Sequence, residues 1–343
     1  MINTIATDLD GTLFYPKKFY RIISTKNRKF LRKFVKEEGK NLILVSGRNI
    51  GLLSKVTKAI EHDDVSMIAC NGSLIYHKNE IIYENPISHE DVKMLNEYFK
   101  TCKEVIGVFY MINNKGFIVV PNNVSRFVSF IAKVGIAMQG AYKEKFKYGE
   151  KYLNRILDKE DVKFYKIMPI YGFGKKGIKT AREQYDALIE KFGDRFEVMF
   201  SSNSVELMKK GVNKAYALKM LLDMLKLKEC QTAVVGDSGN DIPMFEEFEN
   251  SFCMEKAPGE VKEKAKNIVK GVYEIEKFLL KLKEKTKMNQ TSKFAIEIYH
   301  VSLVLRESLE YAIRKNEYAK PIYDRNKDMI TRLTATNSPF SNL

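Results

Sequence analysis

Short apolar runs recur along the chain with helical patterns between them: INTIA at 2–6, NLILVS at 41–46, SMIAC at 66–70, TAVVG at 232–236 and SFCM at 251–254. Between the first two, Phe30, Leu31, Phe34 and Val35 make a helical stripe that Gly39 is placed to cap, and Leu218, Leu221, Leu222 and Leu225 make another before TAVVG. Buried runs joined by amphipathic crossovers predict an α/β class, a Rossmann-like parallel sheet with helices on both faces. From about 84 to 201 the rhythm changes. GVFYM, GFIVV, YKIMPIYG and RFEVMF read as short strands, broken by two helical segments and the turn-rich MINNKG, so this stretch reads as a separate α+β insertion. After residue 283 a polar break, KTKMNQTS, leads into a helical stripe of Phe294, Ile298, Val301, Leu305, Leu309 and Ala312 that Pro321 ends. The expected organisation is a core of 1–83 and 202–283, an insertion of 84–201 and a helical extension of 284–343.

Composition narrows the class. Of 343 residues 45% are hydrophobic, which suits a globular chain with a real core. Lys and Arg exceed Asp and Glu by 58 − 43 = 15, a surplus that attracts anionic metabolites, nucleic acid or membrane surface, and equally describes solvated lysine faces. No run of 18 apolar residues is present, and Asp8 sits where the apolar segment of a signal peptide would lie. A soluble, cytoplasmic protein with no membrane partner is expected. Cys70, Cys102, Cys230 and Cys253 form no CxxC pair, and His62, His77, His89 and His300 match no zinc or triad spacing.

In open parallel sheets ligands lie outside the carboxyl ends of the strands, and polar groups collect there along this sequence. Asp8 and Asp10 follow the first run one residue apart, an arrangement whose charge repulsion calls for a cation or a shared proton. An EF-hand is excluded, because that loop needs Gly at 13 and Glu at 19 where the chain has Leu13 and Phe19. Ser46, Gly47 and Arg48 follow the second run as a turn suited to an amide nest for phosphate. Asp237 ends TAVVG, while Asn240 and Asp241 open a helix that tolerates Pro243 in its first turn. Lys214 follows Gly211 at the start of another helix, a poor place for a cation unless an anion lies beside it. Acids, a metal, a lysine and amide nests together describe phosphoryl transfer.

DLDGT, SGR, GVNKA and GDSGNDIPM, in that order, resemble the four signature motifs of the haloacid dehalogenase-like (HAD) superfamily, and the insertion is similar to the α/β cap of its Cof-type branch, subfamily IIB. The resemblance spans roughly 1–283 and implies the HAD fold, with the cap choosing the substrate. It implies a Mg2+-dependent phosphoric monoester hydrolase acting on small phosphorylated metabolites: sugar phosphates, nucleotides or phosphorylated cofactors. By the same resemblance, Asp8 is the nucleophile that forms an aspartyl-phosphate and Asp10 the general acid and then base. Mg2+ is held by the Asp8 carboxylate, the Asp10 carbonyl and Asp237, with Asp241 as a further ligand or supporting acid. Thr12, Ser46, Gly47, Lys214 and Asn240 hold phosphoryl oxygens, and Arg48 is a candidate substrate contact. CNGSLI at 70–75 is similar to a Cof-type turn beside the site, where Asn71 touches substrate or only makes the turn. Phe109, Tyr110, Lys166 and Tyr171 are candidates to face the pocket. Two features depart from the family pattern, the extension after 283 and Pro243, at a position more often polar.

Two rival readings stand beside the phosphatase: a phosphosugar mutase of the same superfamily, and a basic module that binds nucleic acid or protein without catalysis. The complete set of catalytic groups favours an enzyme with no nucleic-acid partner. For the apolar stripe of the extension, burial on the chain's own core, a homodimer contact and a foreign partner are the three expected outcomes.

Overall fold

The first sheet takes its order from the apolar runs. Strands β1 (Thr4–Thr7), β2 (Asn41–Val45) and β3 (Ser66–Ala69) run parallel on one side, and β12 (Thr232–Gly236), β13 (Asn250–Met254) and β14 (Asn267–Val269) continue the sheet on the other side of β1. An antiparallel hairpin, β4 (Leu74–His77) and β5 (Glu80–Glu84), finishes the β3 edge. The computed structural model describes residues 2–16, 22–113, 116–122, 145–281 and scattered positions from 296 to 328.

Register makes the sheet a platform. Thr7 faces Leu44 on β2 and Val235 on β12, so Asp8, Ser46 and Asp237 leave the sheet at one common edge. The Asp8 amide still donates to the Val235 carbonyl at 2.8 Å, which carries the alignment one residue past the strand. Ile5, Ala6, Ile43, Leu44, Val234 and Val235 are buried, as expected where helices cover both faces of parallel strands.

The expected crossovers are present. Helix α1 (Thr25–Arg32) is capped by Ser24, whose side chain accepts from the Asn27 amide, and its continuation ends before Gly39, which takes a left-handed φ of 61°. Buried Asn27 then fastens two distant segments: its Nδ2 donates to the Leu13 carbonyl, and its Oδ1 accepts from the Tyr273 amide. Helix α2 (Leu53–Ile60) connects β2 to β3.

The second sheet lies in the insertion and has the order β10–β11–β9–β6–β7–β8. Its strands are β6 (Gly107–Ile112), β7 (Gly116–Pro121), β8 (Lys145–Tyr148), β9 (Phe164–Ile170), β10 (Phe196–Ser201) and β11 (Ser204–Lys209). Pairing is antiparallel apart from β7 with β8. Helices α3 (His89–Thr101), α4 (Glu150–Leu157) and α5 (Gly174–Phe192) supply Val92, Leu95, Phe99, Leu153 and Leu188 to a core shared with Val108, Tyr110, Ile167, Val205 and Leu207. Strand β11 lies beyond the boundary expected at 201, yet a tight turn through Ser202, at a left-handed φ of 55°, folds it back onto β10 along its full length. The sheet therefore extends past that boundary. The β4–β5 hairpin and the three-residue β14 were not expected from the sequence, because both are edge elements with weak apolar patterns.

Two helices return the chain to the first sheet. Helix α6 (Lys214–Met224) buries Leu218, Leu221 and Leu222, and α7 (Ile242–Glu247) carries Pro243 in its first turn, as anticipated. Residues 2–275 form one unit, and the chain from Glu276 onward forms another. Of the stripe expected in the extension, Ile298, Val301 and Leu305 are helical and exposed, whereas Phe294, Leu309, Ala312 and residues 284–295 lie outside the described residues.

Candidate active site

The site begins with the chain reversing after β1. Asp8 ends the strand with extended backbone, and the following turn passes through Gly11 at a φ of 96°. Glycine is required there on two counts, since a side chain rarely adopts that φ and a Cβ would lie 2.2 Å from Asp237 Oδ2. Gly11→Ala is therefore expected to push Asp237 aside and to lower stability by about 1–3 kcal/mol, the range for a strained backbone conformation. An unaltered melting temperature in that variant would contradict this account. Thr12, expected on phosphate, is fully buried and donates its hydroxyl to Asp237 Oδ1 at 3.0 Å. One hydroxyl proton serves one acceptor, so in this structure Thr12 positions the acid of the neighbouring loop.

Asp241 organises that loop. Its Oδ2 accepts the amides of Asp237 and Ser238 at 2.9 and 3.0 Å, and with the Ser238 side chain it forms a reciprocal capping box. Its Oδ1 faces Lys214 Nζ at 2.6 Å.

Lys214 is the hub. It stands at the first residue of α6, capped by Asn213, where the helix dipole disfavours a cation. Its ammonium, wholly buried, donates to Asp8 Oδ1 at 2.8 Å, to Asp241 Oδ1, and to Asn240 Oδ1 at 3.4 Å. Burial by itself pushes this ammonium down, but the adjacent Asp241 and Asp8 carboxylates outweigh it and hold its pKa above the ordinary lysine value. For Asp8 burial pushes the carboxyl well up; Lys214 opposes this, and Asp241 and Asp237 reinforce it.

Carboxylate oxygens of Asp8, Asp237 and Asp241 lie within 4.8 Å of one another. Two of these acids, Asp8 and Asp241, share the one ammonium, and Asp237 adds a third carboxylate beside them. Hard oxygen donors in that number fit a magnesium ion. The Asp10 carboxylate lies apart from this cluster and is ion-paired with Arg48 Nε. The arrangement separates the two aspartates: one faces the lysine and the other acids, the other faces an arginine.

Beyond the acids the polar chain continues. Ser46 is buried, and its Oγ accepts the Arg48 amide at 3.2 Å, which leaves its proton to donate elsewhere. Asn240 Nδ2 donates to Asn71 Oδ1 at 3.1 Å, and Asn71 Nδ2 donates to Glu206 Oε2. Asn71 sits in a left-handed turn with a φ of 58°, so it makes the turn and also joins the network. From the second sheet, Lys166 Nζ donates to Glu206 Oε1 at 3.0 Å and to the Gly47 carbonyl at 2.6 Å.

Of the other three pocket candidates, Tyr110 and Tyr171 point into the insertion's core, while Phe109, whose β6 neighbours Val108 and Tyr110 face that core, lies on the same face of the sheet as Lys166. Tyr110 is buried and bonds Asn96, Phe109 stacks on Phe117, and Tyr171 lies in the core of the insertion. Glu206 was missed. Its signal was a charge in the strand SVELM at the position alternate to Val205 and Leu207, which face the insertion's core.

A parallel sheet that gathers acids around one buried lysine at its carboxyl edge, with a second sheet inserted over that edge, is an α/β protein with an accessory domain and the charge arrangement of a phosphoryl-transfer site. The chain belongs to the haloacid dehalogenase-like hydrolases, whose family model matches residues 5–279. Among curated relatives, the 5-amino-6-(5-phospho-D-ribitylamino)uracil phosphatase YbjI of Escherichia coli is 25% identical over 272 residues, covering 77% of this chain and 89% of the relative. The phosphatase of the same designation from Bacillus subtilis, YcsE, is 26% identical over 265 residues, covering 77% and 88%. A haloacid dehalogenase-like hydrolase from B. subtilis superposes with a TM-score of 0.66 at 20% identity, covering 80% of this chain and 99% of that one. One from Bacteroides thetaiotaomicron gives 0.62 at 24% identity, covering 81% and 100%. Among the described residues, no helix is long and apolar enough to cross a membrane.

Proposed function

We propose that this phosphatase hydrolyses small phosphorylated metabolites with Mg2+, through an aspartyl-phosphate on Asp8. The observation that carries the reading is Lys214 Nζ, buried between Asp8 Oδ1 and Asp241 Oδ1 at the sheet edge where Asp237 also arrives. The residues that would hold Mg2+ are the Asp8 carboxylate, the Asp10 carbonyl and Asp237, with Asp241 supporting them. When bound, the ion offsets negative charge on the phosphoryl group and on the acids around it.

The side chains divide the remaining work. An Asp8 oxygen attacks phosphorus, the bond from phosphorus to the leaving oxygen breaks, and Asp10 gives that oxygen a proton. Asp10, now a carboxylate, takes a proton from water as the water oxygen attacks the same phosphorus, which frees Asp8 and releases inorganic phosphate. Lys214, the Ser46 hydroxyl and the Asn240 amide hold phosphoryl oxygens during both steps. Arg48, paired with Asp10, keeps that carboxyl in place. The inserted sheet acts as the cap that selects the leaving group. The two named relatives support a phosphorylated polyol-bearing metabolite as the first class to test, beside sugar phosphates and nucleotides.

All four cysteines are thiols, which supports residence in the reducing cytoplasm. A homodimer contact through the C-terminal helix belongs to the same proposal, and sedimentation of the full chain checks it. The decisive experiment is a panel of phosphorylated sugars, polyols, nucleotides and cofactors assayed for phosphate release with Mg2+ and with excess chelator. Release that depends on Mg2+ and favours one substrate class is expected. Equal release in chelator sinks the metal assignment, and conversion of a sugar phosphate to its isomer without phosphate release, dependent on a bisphosphate activator, points to a mutase.

A further inference from the structure

We infer that Lys166 and Glu206, an ion pair delivered by the inserted sheet, are positioning residues that set the phosphate-holding loops of the core. Both lie in strands of the insertion, Lys166 in β9 and Glu206 in β11, and the neighbours Ile167, Val205 and Leu207 face the helix-packed side. Alternation along each strand sends Lys166 and Glu206 to the opposite side. Their side chains are only 3% and 6% exposed. A buried pair of this kind costs more to desolvate than an apolar pair, so stability alone is a poor account of its task.

The task is visible in where the bonds go. Lys166 Nζ donates to the Gly47 carbonyl at 2.6 Å, and Glu206 Oε2 accepts from Asn71 Nδ2. The Asn71 amide in turn donates to the Ser46 carbonyl at 3.1 Å. A closed ring results, running from the Ser46–Gly47 turn through Lys166, Glu206 and Asn71 and back to Ser46. Holding the Gly47 carbonyl fixes the same peptide whose other end, the Arg48 amide, bonds Ser46 Oγ at 3.2 Å. With that amide donating to it, the Ser46 hydroxyl keeps its own proton for a phosphoryl oxygen. On the far side, Asn71 Oδ1 holds Asn240 Nδ2 at 3.1 Å, and Asn240 Oδ1 accepts from Lys214. The ring thus joins the loops after β2 and β3 and touches the one after β12. Space is tight at its centre: a Cβ on Gly47 would lie 2.9 Å from Asn71 Oδ1 and 3.3 Å from Lys166 Nζ. The phosphate cradle is complete only with the insertion seated, so seating and phosphate binding are coupled through Lys166 and Glu206.

This rests on the phosphatase reading, and the test separates the two. Full-length wild type, Glu206→Gln and Lys166→Met are compared with Mg2+ present. Calorimetry measures binding of inorganic phosphate, and turnover is followed on p-nitrophenyl phosphate and glycerol phosphate, whose leaving groups share nothing. Phosphate affinity is expected to fall between about tenfold and about a hundredfold, the scale for losing a hydrogen bond to a charged group, with kcat falling by a similar factor on both substrates. Glu206→Gln keeps shape and volume, so it decides the matter even where Lys166→Met fails to fold. Asn71→Ala, which opens the ring from the core side, should fall in the same direction. Unchanged phosphate affinity in folded Glu206→Gln overturns the inference, and so does a loss confined to one leaving group, which would make the pair a reader of substrate. Wild type that binds phosphate but turns over neither compound sinks the phosphatase reading alone, while one that binds no phosphate sinks both.

Discussion

Asp8→Asn is expected to fold and to lose turnover by roughly 10⁴- to 10⁶-fold, the scale on which enzymes lose activity when a nucleophile is removed. The amide keeps the size of the carboxylate and remains in reach of Lys214, which is still paired with Asp241 at 2.6 Å. Burial, with Asp241 and Asp237 nearby, raises the Asp8 pKa in the folded chain despite Lys214. A carboxyl raised on folding costs stability as pH climbs through its folded pKa, so above that pH Asp8 works against the fold when no cation is present. The Asn variant should therefore melt no lower than wild type in chelator, while acid quench with labelled substrate traps no phosphoenzyme. Substantial turnover by the variant would remove Asp8 from the nucleophile's role. A large fall in melting temperature would contradict the electrostatic account.

Lys214→Ala should lower kcat by roughly 10²–10³, comparable with losing one preorganised donor to a developing oxyanion. Stability should fall as well, because the Asp8 and Asp241 carboxylates both lose their ammonium in a buried site. Added Mg2+ should restore part of that stability, and a melting curve with and without the ion measures it. Lys214→Arg is expected to rescue poorly: the pocket leaves no exposed surface around the side chain, and a planar guanidinium does not replace a compact ammonium with three donors. If the Ala variant changed only KM, the lysine would serve binding alone.

The core of the site was legible in the amino-acid sequence for a physical reason. A parallel strand buried on both faces must be written as an apolar run, and ligand groups must follow its end, so Asp8, Ser46 and Asp237 each announce themselves within two residues of such a run. Lys214 and Asp241 were legible at helix starts, where a cation out of place with the dipole or a capping acid stands out. Which partner each would take was not written there. Register alone aligned Thr7 with Leu44 and Val235, and the return of α6 onto the sheet brought Lys214, 206 positions from Asp8 in sequence, to hydrogen-bond distance of it. Tertiary packing likewise turned Thr12 toward Asp237 and Arg48 toward Asp10.

The insertion divides the same way. Four of its six described strands and its class followed from local alternation, since a half-buried strand records its own two faces, whereas β8 and β11 did not stand out. Its reach past 201 depended on a hairpin turn at Ser202 whose partner strand carries only a short pattern. Lys166 was one of four equivalent candidates until packing sent Tyr110 and Tyr171 into the insertion's core, stacked Phe109 on Phe117, and left the lysine facing Gly47. Sequence by itself determined the fold class, the family and the acids and lysine at the sheet edge, because burial and capping impose local patterns. Only the tertiary structure decided which hydroxyl, amide and ion pair hold those groups in place, because those bonds join loops that no local pattern connects.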